Sequence, residues 1–167
     1  GEGRAVRRSL ILSLRELATG NLTTLIERDL SDDPIATGDS REVATDLLLR
    51  ECAYVVQGLG QEARGSAVSD PDIRSRLKRV IRLSEASAVE INLALEGTVH
   101  HQFAGPHHLA TLLSRLVDGM QAAMLVRLPT PSGAQAKAWA DWLLSQTHSR
   151  PFLWINHQKA VKTGYLN

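Results

Sequence analysis

Only one of the 167 residues is a cysteine, Cys52. That excludes a disulfide framework and any cysteine-built metal site, and a reducing, cytoplasmic setting is the expectation. No apolar run reaches the roughly eighteen residues that a membrane-spanning helix needs, and the amino-terminal segment has no signal-peptide pattern. Charge of one sign is also lacking. A formal net charge of +1 gives no electrostatic reason for these residues to bind nucleic acid. No segment alternates with period two and no Asn-Gly hairpin signal occurs, which argues against a sheet. G-x-S-x-G, Glu-x-x-His and a phosphate-cradling glycine loop are absent as well, so neither enzymatic activity nor a cofactor is expected. The sequence opens Gly1-Glu2-Gly3 without a methionine, and a fragment or processed form of something longer is the expectation.

What is present is helical periodicity. Val6, Leu10, Ile11, Leu14, Leu17, Leu22, Leu25 and Ile26 recur at helical spacing over 4–29, with Gly20-Asn21 placed to kink or divide the run. Residues 31–39 are loop by composition. Asp39 and Glu42 stand three apart, as a capping pair does, and open a helix from Ser40 that ends near Gly58-Leu59-Gly60 or a few residues later. Ser69-Asp70-Pro71-Asp72 reads as a further helix start. It carries Ile73, Leu77, Val80, Ile81 and Leu95 to about Glu96, where Gly97 closes it.

Segment 107–147 predicts two apolar-striped helices joined by a tight Pro/Gly turn. In the first, Leu109, Leu112, Leu113, Leu116, Val117, Met120 and Met124 share a face, and Ala110, Ala122, Ala123 and Val126 cover much of the rest. Trp139, Leu143 and Leu144 lie beside Ala138 and Trp142 in the second. A helix apolar on most sides needs the chain's own core on one flank and a second surface on another. The expected surface is a second copy of the chain, meeting Leu116, Gly119, Ala123, Val126, Ala138 and Trp142. The fold class is therefore all-α. An antiparallel bundle of about five to six helices is expected over 1–150, with its last two helices completing a four-helix bundle across a homodimer.

The order of these helices resembles the carboxy-terminal regulatory domain of TetR-family transcriptional repressors. Two local matches carry the likeness: Asp70, Pro71, Asp72, Ile73 and Arg74 at a helix start, and Leu112, Leu113, Leu116, Val117, Asp118, Gly119 and Met120 in the penultimate helix. The likeness spans roughly 4–147. It implies that 4–29 is the connecting helix, so that DNA would be bound only by an upstream helix-turn-helix, which nothing in this sequence resembles. It also implies a small-molecule effector inside the helical bundle, because a ligand shifts an equilibrium only through unequal affinity for two arrangements. Candidate pocket residues are Cys52, Tyr54, Gln57, Asn92, Leu95, Phe103, Met120 and Met124, apolar walls with a few orienting polar groups.

Two alternatives stand beside this reading. One is a non-enzymatic helical dimerisation or adaptor module that shares the hairpin pattern. The other is a metal site on His100, His101, His107 and His108, which requires the loop between the two pairs to fold back. The tail, 151–167, concentrates Phe152, Leu153, Trp154 and Ile155 in a chain with only 4% aromatic residues. Packing on the domain is expected over disorder, since four large apolar side chains exposed together are costly.

Overall fold

The computed structural model describes residues 4–66, 73–92 and 103–164, with the side chains at 4, 86–92, 155 and 162 outside that description. These residues form α1 (Arg4–Thr19), α2 (Leu22–Glu27), α3 (Ser40–Ala63), α4 (Ile73–Asn92), α5 (Ala104–Ala123), a 3-10 turn (Leu125–Arg127), α6 (Ala136–Gln146) and α7 (Ile155–Lys162). Among the described residues there is no strand, only an isolated antiparallel bridge between Met124 and Phe152. The protein is all-α. The helix start at Ser69–Asp72, the stop at Gly97 and the candidates His100 and His101 lie outside the described residues.

The first helical run divides where Gly20-Asn21 predicts. Val6, Leu10 and Leu17 then point α1 into the core, and Leu22 and Leu25 do the same for α2. Asp39 caps α3, its side chain accepting from the Arg41 N–H at 2.9 Å.

The centre of the molecule is α3, which packs against α1, α2, α4 and α5. Cys52, Ala53, Val55, Val56, Leu59 and Ala63 are each at most 1% exposed, and they share one broad face of its second half. The helix continues beyond Gly58 and Gly60 to Ala63. It stops in a Schellman motif, with Gly65 N–H donating to the Glu62 carbonyl and Ser66 N–H to that of Gln61.

The loop after α2 is tied to α3 by buried and half-buried polar contacts. Ala36 N–H donates to the Asp46 carboxylate at 3.0 Å, and the Arg50 guanidinium donates to the Asp33 carbonyl. Nε2 of Gln57 lies within hydrogen-bonding distance of the carbonyls of Leu25 (3.1 Å), Ile26 (3.2 Å) and Arg28 (2.7 Å). Those are carbonyls that the end of α2 leaves without helical partners. Gln57→Met, which keeps the volume and removes the donor, should therefore cost about 2 kcal/mol in urea denaturation. Unchanged stability would mean that water already serves these carbonyls.

Helices α4 and α5 run antiparallel, joined by Arg74–Asp118 near one end and by His107 Nε2 to Glu85 at 3.3 Å near the other. On α5, Pro106, Ala110, Leu113 and Val117 are buried toward α3 and α4.

The expected hairpin differs from the structure. Residues 128–135 carry Pro129, Pro131 and Gly133 and are too long for a tight turn, so α6 packs chiefly on the 3-10 turn instead of returning along α5. Its carboxy-terminal end reaches the end of α3: Leu144 sits over Gly65, and Arg64 Nη2 lies 2.7 Å from His148 Nδ1. The described helices number seven against the expected five to six, because the first run divides and the tail forms α7.

Candidate functional site

Of the pocket candidates read from the sequence, Phe103 borders one of two surface cavities, and the other described candidates border neither. Cys52 is fully buried in the core, and Phe103 and Met124 are buried beside it, at 7% and 1% exposure. Met120 packs on the core from its edge. Gln57 uses its amide to cap α2. Tyr54 is half-buried beneath the Arg76 guanidinium, 5.4 Å from its ring centroid, and Arg76 and Arg79 both reach Glu51 at 3.0 Å. The side chain of Asn92, and Leu95 altogether, fall outside the described residues. Burial pushes the Cys52 thiol up to about 12, with the Glu51 carboxylate adding to the effect. This sulfur is neutral packing matter and not a nucleophile.

The two surface cavities are formed by described residues. One, of about 490 Å³, lies where the amino-terminal ends of α1, α3 and α5 meet, bounded by Arg7, Asp39, Arg41, Glu42, Phe103 and Pro106 among others. Its two carboxylates offset its two guanidinium groups, so it selects for no sign of charge.

The other cavity, of about 680 Å³, is built by the tail. Leu125 N–H donates to the Pro151 carbonyl at 2.9 Å, and Leu153 N–H donates to that of Ala123 at 2.6 Å. These two bonds bring the tail alongside the junction of α5 and the 3-10 turn, with Phe152 against the core. Gln158 then fixes the start of α7, its N–H donating to the Trp154 carbonyl and its side chain to that of Leu153, each at 3.0 Å. The walls of the resulting groove are Leu125, Trp142, Phe152, Leu153 and Trp154, and its polar lining is Gln146, Arg150 and His157. Trp142 is held by stacking on Trp139, with ring centroids 5.0 Å apart and planes 21° from parallel. Trp154 is 77% exposed, so the tail docks through Phe152 and Leu153 and leaves this indole at the groove's edge.

The expected dimer residues separate into two groups. Leu116 (55% exposed) and Gly119, whose Cα has open space before it, lie with Leu112 on the outer face of α5. Ala123 and Val126 are half-buried, Ala138 is exposed on α6, and Trp142 lines the tail groove.

Of the four clustered histidines, the described pair divides its duties. His107 faces Glu85, and His108 is exposed. Among the described residues no three His, Cys, Asp or Glu side chains are placed to hold a metal. No described helix is long and apolar enough to cross a membrane.

The sequence reading missed Leu125, Gln146, Arg150 and His157 as members of one site. Its only usable signal was the aromatic cluster after Pro151. No protein-family model, curated protein or solved structure matches the chain.

Proposed function

We propose that the chain is a ligand-sensing, homodimerising regulatory domain of the TetR type. Its output would be control of DNA binding by a helix-turn-helix upstream of these residues. The observation that carries this reading is the outer face of α5. Leu112 and Leu116 stand exposed one turn apart, at 42% and 55%, and Gly119 follows with no side chain between the helix backbone and an approaching surface. Two leucines next to a bare stretch of backbone suit close helix-to-helix approach, and one patch meeting its own copy is the commonest way an oligomer closes. The opposite face of α5 supports the same reading, because it is anchored to α3 and α4, so a shift at the dimer face would be felt by the central helix.

Sedimentation equilibrium at micromolar concentration tests this directly. The chain should run as a dimer. Leu116→Glu, which places a charge in the middle of the patch, should weaken association at least about a hundredfold while the helical circular dichroism stays unchanged. A wild-type chain that remains monomeric, or a dimer indifferent to Leu116→Glu, would remove the dimer reading.

A further inference from the structure

We infer that the groove built by the tail is a binding site for a planar aromatic anion, a carboxylate or sulfonate carried on a fused or single ring. This goes beyond the regulatory reading and does not need it, since the groove is formed by the 3-10 turn, α6, α7 and the chain between these two helices and not by the outer face of α5.

Three observations converge. The cavity, about 680 Å³, falls within the range of small-molecule sites, and its walls are apolar with few polar groups. Two of the three tryptophans in the chain line it. Trp142 stacks on Trp139 and turns its ring to the groove, while Trp154 is 77% exposed and has its backbone held by Gln158, so its indole can close over a guest. An exposed indole at the mouth of an apolar groove is costly unless it covers something. The third observation is charge. Among the described residues, Arg150 and His157, both exposed, are the ionisable ones lining the groove, no acid lines it with them, and neither is in an ion pair. A guanidinium left without a carboxylate beside two indole rings is matched by a ligand that brings its own anion on an aromatic body. The polar cavity beside α1 shows the contrast, since there each arginine is balanced by an acid.

The test uses 2-naphthoate and its neutral isostere 2-naphthamide with the whole chain. Three tryptophans give three indole N–H resonances, assignable by single Trp→Phe variants. Naphthoate should move those of Trp142 and Trp154, and it should bind about fivefold more tightly than the amide, the scale of one partly exposed charge pair. Arg150→Gln should bring acid and amide to equal affinity. Trp154→Ala, at a position too exposed to threaten folding, should weaken both ligands about tenfold by removing an aromatic wall, and Trp154→Phe should restore most of that loss. Equal affinity of acid and amide for the wild-type chain would overturn the inference. So would unmoved Trp142 and Trp154 resonances. A sedimentation result in which Trp154→Ala dissociates a dimer would also overturn it, by showing that a second copy fills the groove.

Discussion

Gly65→Val should destabilise the protein by about 3 kcal/mol and release α6 from the end of α3. Two effects act at this position. Gly65 has a φ of +76°, where a side chain crowds the backbone, and such a conformation costs an ordinary residue about 1–2 kcal/mol and a β-branched one more. A Cβ placed there would also stand 2.2 Å from Leu144 Cδ2 and 3.6 Å from Val126 Cγ1. Leu144 is 41% exposed and can swing outward, but doing so gives up the contact that seats α6 on α3. Gly133→Val separates the two effects. Its φ of +81° is equally demanding, while nothing lies within 4 Å of a Cβ there, so only the backbone cost of a β-branched residue should appear, about 2 kcal/mol. Urea denaturation gives both energies. Tryptophan fluorescence should change for Gly65→Val alone, because Trp139 and Trp142 ride on α6. If the two variants were equally destabilised, with identical emission, Leu144 would not be holding α6 in place.

Gly65 also shows how coarsely the sequence places a helix end. Three glycines stand near the end of α3, and the expected stop is at the first two or a few residues later; it falls at Ala63. Gly58 and Gly60 are instead buried inside the helix, and a Cβ at Gly60 would come within 2.7 Å of Leu25 Cδ2. They let α2 and α4 approach, and the helix ends only where a glycine closes a Schellman motif. Periodicity marks which residues face inward, and Asp39 and Gly20-Asn21 marked local boundaries correctly because their effect is local. It does not tell a packing glycine from a terminating one, since that depends on what lies across the interface.

The candidate site was less legible for the same reason. Gln57 reads as an orienting polar group of a pocket, but its amide is taken up by carbonyls at the end of α2. The groove residues are scattered from Leu125 to His157. Only the backbone bonds of Leu125 to Pro151 and of Leu153 to Ala123 gather them. Nothing in the spacing of residues 107–147 shows that 128–135 would carry α6 away from α5 and leave room for the tail.

Cys52 should be nearly inert in the folded chain and fully reactive in the unfolded one. The thiolate is the reacting form, and burial pushes this thiol from its ordinary value of 9.0 up to about 12. Three units lower the thiolate fraction about a thousandfold near pH 8, so modification by a disulfide reagent should slow by at least that factor relative to protein in guanidinium. Residual labelling should follow opening of the fold. Stability should carry the same signature. Above pH 9.0 the unfolded thiol has lost its proton, while the folded one keeps it until about 12. In that window the unfolded state binds fewer protons, so unfolding becomes easier as pH rises, by up to about 1.4 kcal/mol per pH unit. Below the window the contribution of the neutral thiol is fully present. Cys52→Ala loses packing at every pH but has no proton to release. The stability difference between wild type and Cys52→Ala should therefore shrink as pH is raised through the window. A difference that stays constant would show that the sulfur is solvated, and a fast native-state reaction would show that the second half of α3 is not the closed centre of this fold.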